Sequence, residues 1–83
     1  MKITLRYFAS IREALGVGQE SWQTQAQTVA QLRQELVARG GVYADTLGTT
    51  RALRAALDQD LCDGSAALHE GCEVAFFPPV TGG

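Results

Sequence analysis

Along the first eight residues Ile3, Leu5 and Tyr7 alternate with Lys2, Thr4 and Arg6. That period of two marks a strand with one buried face and puts Phe8 on the outward phase. Ser10-Ile11-Arg12-Glu13 has the S-x-x-E form of a capping box and Gly16 follows, so a short helix is predicted over 10–15. A second strand over about 20–25 rests on Trp22 and the polar alternation around it. Thr28-Val29-Ala30-Gln31 repeats the capping signature, and Val29, Leu32 and Leu36 form one apolar stripe before Gly40-Gly41, which predicts the main helix over about 28–39. From 42 to 50 the pattern is that of a loop with room for a helical turn. Residues 50–57 are contested. Ala52-Leu53-Arg54-Ala55-Ala56-Leu57 has high helix propensity, while Asp58-Gln59-Asp60 behind it is a turn signal that suits a hairpin. Finally Cys72, Val74 and Phe76 alternate with Glu73, Ala75 and Phe77, predicting a last strand that Pro78-Pro79 stops, again with Phe77 outward.

Strand, short helix, strand, long helix and then strands to the end is the order of an α+β fold of the β-grasp kind, a mixed sheet wrapped on one helix. No repeat, linker or shift in composition argues for a second domain. The expected division is a domain over 1–77 and an extended tail over 78–83. With 83 residues the chain can bury one modest core and has no room for a deep substrate cavity of its own. A net charge of -2 with 19% charged residues supplies no basic field, so nucleic acid is not an expected ligand. There is no apolar run near the ~20 residues that a membrane span requires, and Lys2, Thr4 and Arg6 interrupt any signal-peptide core. The expected address is the cytoplasm, with no membrane partner.

Most side chains with chemical potential read as structural. Cys62 and Cys72 form no CxxC pair and have no histidine cluster beside them, so they are expected to be small buried hydrophobes, with no metal site. Asp58, Asp60 and Asp63 fail as a calcium loop, because the required glycine position falls at Asp63 and the bidentate glutamate position at His69. His69, the only histidine, has no nucleophile or carboxylate constellation in sequence and is expected to be a satisfied surface residue. The end of the chain is different. Gly83 offers an unhindered α-carboxylate, and Gly82 and Thr81 make a slender tip behind it. Phe77-Pro78-Pro79 should leave the body straight, since each proline holds φ and pushes its predecessor toward extended geometry. From Pro78 to Gly83 the extended reach is on the order of 20 Å, enough to thread an active site in another protein. A frayed terminus is the other reading of such an end.

The tail Glu73-Val74-Ala75-Phe76-Phe77-Pro78-Pro79-Val80-Thr81-Gly82-Gly83, with Phe8-Ala9-Ser10-Ile11-Arg12-Glu13 near the start, resembles the MoaD family, the small subunits of molybdopterin synthase. A bare Gly-Gly end also occurs in ubiquitin and in the thiazole-pathway sulfur carrier; FFPPVTGG is narrower. The resemblance implies a ubiquitin-like β-grasp fold and makes the contested 53–57 segment a strand. It implies parallel, adjacent first and last strands at the centre of the sheet, which brings Phe8, Leu61 and Phe77 together as a partner-docking patch beside the tail's root. It also implies sulfur carriage. A ubiquitin-activating-type adenylating enzyme would use ATP and magnesium to convert the Gly83 carboxylate to an acyl adenylate, and a sulfur donor protein would displace AMP to leave a thiocarboxylate. The tail, Pro78, Pro79, Val80, Thr81 and Gly82, would then insert into the large synthase subunit and deliver sulfur to a cyclic pyranopterin precursor. On this reading the chain is a carrier that binds no cofactor, two copies serve a large-subunit dimer, and catalytic groups belong to the partner. Sulfur carriage for thiazole or tRNA thiolation, covalent protein modification through Gly83, and a non-covalent adaptor with an inert tail remain the alternatives.

Overall fold

A computed structural model describes residues 1–48 and 52–79. Its first strand, β1 (Lys2–Tyr7), turns Ile3, Leu5 and Tyr7 into the core, as the alternation requires. The strand's extended backbone continues through Phe8, whose N–H donates to the carbonyl of Phe76 at 3.2 Å. The chain then turns at Ala9 (φ 53°) into α1 (Ala9–Leu15). Phe8 is therefore the N-cap, its carbonyl accepting from Ile11 and Arg12, and Ser10 already lies inside the first turn. The capping box expected at Ser10 is not formed, because the strand ladder holds the chain extended up to Phe8. Gly16 closes α1 in the left-handed region at φ 79°, where a side chain would be strained. The strand β2 (Gln19–Gln23) returns antiparallel to β1, ending short of the expected residue 25.

The main helix, α2 (Val29–Val37), starts as the sequence indicates. Thr28 Oγ1 accepts from Gln31 N–H at 3.2 Å, although the return bond runs from Gln27 N–H to Gln31 Oε1 rather than to the cap itself. The next two free N–H groups, of Val29 and Ala30, donate to the carbonyls of Ala66 and Gly64, so a distant loop completes the helix terminus. Val29, Leu32 and Leu36 are buried. Gly40 and Gly41, both at positive φ, separate α2 from a further helix, α3 (Gly41–Leu47), in a region that the sequence pattern presents as loop. Leu47, fully buried, explains why this helix forms: it fills the end of the core, and Arg33 of α2 donates to its carbonyl from Nε at 2.7 Å.

The contested segment is a strand. β3 (Arg54–Leu57) and β4 (Asp60–Cys62) form a two-residue hairpin whose Asp58 and Gln59 have φ of 50° and 73°, the paired positive values of a type I′ turn. The last strand, β5 (Glu73–Phe77), lies parallel to β1 and antiparallel to β3, giving the sheet order β2-β1-β5-β3-β4. One face of this mixed sheet packs Ile3, Leu5, Tyr7, Ala55, Val74 and Phe76 against α2. That is the α+β, ubiquitin-like β-grasp architecture.

At the β2 side of the core a polar network takes over from packing. Tyr7 and Tyr43 both donate to Glu20 Oε2, at 2.8 and 2.9 Å, and Arg39 donates to the same carboxylate while its guanidinium stacks 3.7 Å from the centroid of Tyr43. Burial pushes the Glu20 carboxyl up, but the donors Tyr7, Tyr43 and Arg39 together hold it below the ordinary value. Burial and the neighbouring carboxylate drive the Tyr7 phenol far upward, so it stays a hydrogen-bond donor throughout the ordinary pH range.

Candidate functional site

The tail begins at the middle of the sheet. Phe76 is buried in the core, Phe77 and Pro78 are half-buried and Pro79 is exposed, so the chain passes from core to solvent in four residues. Pro78 lines a hollow of about 290 Å³ with Ser10, Ile11 and Ala14 of α1, Thr46 of α3, and Ala52 and Leu53. The root is thus seated between two helices and aimed by a strand that has neighbours on both sides. Val80, Thr81, Gly82 and Gly83 lie outside the described residues.

The register places the expected docking residues on the sheet face turned away from α2. Arg6 pairs with Ala75, Ala75 with Ala56, and Ala56 with Leu61, which makes one continuous row across four strands. In the next row Arg54 pairs with Phe77, and the bond from Phe8 N–H to Phe76 carries the parallel ladder on, putting Phe8 beside Phe77. Phe8 (41% exposed) and Leu61 (65%) present their side chains to solvent as expected. Phe77 faces outward as expected but is half-buried rather than exposed, as befits a central strand flanked by β1 and β3. Ala56 and Ala75 are 8% and 6% exposed although they belong to the outer face. They form a flat apolar floor between Leu61 and the two phenylalanines. Sequence reasoning missed this floor; the phase of Ala75 within β5 gives half of it, and only the β3–β5 register supplies the rest.

The side chains with chemical potential outside this face are those of His69, Cys62, Cys72 and the nearby aspartates. Among the described residues no group of three or more His, Cys, Asp or Glu side chains could hold a metal ion. Cys72 is fully buried, and Cys62 is half-buried rather than buried. Burial, and the charge of Asp63 beside it, push the Cys62 thiol up, against a weaker backbone hydrogen bond from Leu57, which leaves it a poor nucleophile at neutral pH. His69 does have a carboxylate partner, contrary to the expectation from sequence. Its Nε2 lies 2.8 Å from Asp58 Oδ2, and Asp58 also accepts from Glu73 N–H at 2.9 Å. That backbone donor first, and the imidazole second, hold the Asp58 carboxyl below the ordinary value. The pair staples the β3–β4 turn to the start of β5.

Fold, apolar outer face and projecting root define a ubiquitin-like β-grasp protein that presents the end of its last strand beside an apolar sheet surface. Residues 5–83 match the model of the ThiS family, and the chain belongs to that family. It is 40% identical over 81 residues to the molybdopterin synthase sulfur carrier subunit of Escherichia coli and 35% identical to that of Haemophilus influenzae, covering 98% of this chain and 99% of each relative. Among solved structures, one chain of a complex of subunits 1 and 2 of the molybdopterin-converting factor from Helicobacter pylori superposes with a TM-score of 0.66 at 27% identity, covering all of this chain and all of that one. SAMP1 from Haloferax volcanii superposes with a TM-score of 0.77, again over both whole chains, and at 20% identity shares the fold.

Proposed function

We propose that this chain is the sulfur carrier of a molybdopterin synthase, loaded and discharged at the α-carboxylate of Gly83. The observation that carries the reading is the central placement of β5, which delivers Phe77-Pro78-Pro79 outward beside an apolar face; full-length similarity to two synthase sulfur carriers supports it. A carboxylate is a poor electrophile until one oxygen becomes a good leaving group. An adenylating enzyme using ATP and magnesium forms the acyl adenylate and releases pyrophosphate. The outer sulfur of a donor protein's persulfide then adds to the glycyl carbonyl and expels AMP, and a second thiol of the donor cleaves the resulting acyl disulfide, leaving the thiocarboxylate on Gly83 and a disulfide on the donor. Glycine suits this step, because no side chain hinders attack at its carbonyl.

Discharge occurs in the large subunit. The outer face docks, the tail of Pro78, Pro79, Val80, Thr81 and Gly82 threads the partner's active site, and the thiocarboxylate sulfur displaces an oxygen leaving group from a carbon of the cyclic pyranopterin precursor, the C–S bond forming as the C–O bond breaks. Water then cleaves the acyl–sulfur bond, so sulfur stays on the pterin and Gly83 recovers its carboxylate. In this division of labour the domain at 1–77 recognises and the segment at 78–83 delivers. The test is reconstitution with the large subunit, the adenylating enzyme, ATP, magnesium, a sulfur source and the precursor. The full chain supports product formation, and a chain lacking Gly82-Gly83 supports none although it binds the large subunit with unchanged affinity for the sheet face. Turnover by the truncated chain would refute the mechanism.

A further inference from the structure

The outer face is not electrically uniform. At the tail end Arg6 and Arg54 flank Phe77, Arg54 directly across the β3–β5 pair and Arg6 one step along β1, diagonal to Phe77. At the opposite end stand Glu73 and Asp58, joined through the bond from Glu73 N–H to the Asp58 carboxylate, with Glu70 nearby on the Lys2 backbone. A chain with a net charge of -2 thus places two arginines beside its outer-face apolar residues, while Lys2 of the same face stands at the end that holds the carboxylates.

Among the described residues neither arginine is held in a close ion pair. Arg54 is exposed and makes no ion pair among the described residues. Arg6 meets Glu73 only at 3.8 Å, lies 5.4 Å from the centroid of Phe8, and has a buried Nε with no hydrogen-bond partner. A guanidinium held over an aromatic ring, with donors left over, is arranged to take a carboxylate from outside. We propose that Arg6 and Arg54 make this surface selective for a partner whose apolar contact patch is rimmed by carboxylates, the arginines setting the orientation in which the tail enters. This rests on the large synthase subunit being the occupant, as argued above, and adds the chemistry by which that subunit is distinguished from other proteins with an apolar patch.

Binding of the large synthase subunit, followed by calorimetry and by association rate between about 50 and 500 mM salt, tests this. The parent chain is expected to lose affinity about tenfold across that range, mostly through slower association. The double variant Arg6→Gln, Arg54→Gln is expected to bind about tenfold more weakly at low salt, with a nearly flat salt dependence and an unchanged melting temperature. The variant Arg6→Lys, Arg54→Lys keeps the charge and is expected to keep the salt slope. Parent-like binding and slope in the Gln variant would overturn the proposal; if Phe77→Ala still weakened binding, the apolar docking reading would survive alone. Parent-like binding by Phe77→Ala as well would bring down the docking reading with it.

Discussion

Leu61 and Phe77 allow the proposed recognition to be separated from stability residue by residue. Leu61 is 65% exposed, so Leu61→Ser removes little packing and is expected to leave the melting temperature within about 2 °C. Its loss of binding to the large subunit is expected to be about 1 kcal/mol, read by calorimetry. Phe77→Ala is expected to weaken the same binding by about 1 to 3 kcal/mol, with a moderate loss of stability because the ring is half-buried. Glu20 behaves in the opposite way: it touches no part of the docking face, yet it satisfies the phenol of Tyr7, which is 1% exposed. Glu20→Ala is expected to cost about 1 to 3 kcal/mol in chemical denaturation, since a buried donor loses its acceptor. The pH dependence follows from the same group. The folded-state carboxyl lies below its unfolded value, so its contribution is complete above the unfolded pKa and is lost as pH falls through the folded pKa. Stability should therefore decline below about pH 4.5, and Glu20→Gln should flatten part of that decline.

At the scale of elements, the β3–β4 hairpin offers a direct check on backbone reasoning. Gln59 sits at φ 73° with a side chain, where glycine carries no such strain. Gln59→Gly is expected to raise stability by roughly 0.5 kcal/mol in thermal melts, without touching the Asp58 staple. Elements with a strong period are legible in the amino-acid pattern alone: β1 and β5 from alternation, α2 from its stripe and from Thr28. Elements decided by tertiary context are not. Ala55 and Ala56 favour helix by propensity of a few tenths of a kcal/mol per residue, and pairing with β5 on one side and β4 on the other outweighs it. α3 is hidden because Gly40-Gly41 reads as a stop, whereas here it is the bend between two helices, and only Leu47 reaching the core reveals the second one. The outer-face residues Phe8, Leu61 and Phe77 can be named from a family resemblance, but the alanine floor and the placement of Arg6 and Arg54 depend on register, which alternation within a single strand does not contain.

For the whole molecule, the proposed function assigns two tasks to two parts of a small chain. On the proposed function, the sheet face with its arginines is the recognition surface, and the root at the centre of the sheet fixes where the tail leaves it. Such a design makes tail length critical. One residue added after Gly83 is expected to abolish sulfur loading while leaving the melting temperature unchanged, since it moves the carboxylate out of register with the adenylating site. The central claim is that Gly83 carries the sulfur, and intact-mass and fragment analysis after incubation with the adenylating enzyme, ATP, magnesium and a sulfur source tests it most directly. The account predicts replacement of one oxygen by sulfur, localised to Gly83 and reversed on turnover with the large subunit. An unchanged mass under conditions that load a known sulfur carrier, or sulfur found on Cys62 instead, would contradict it.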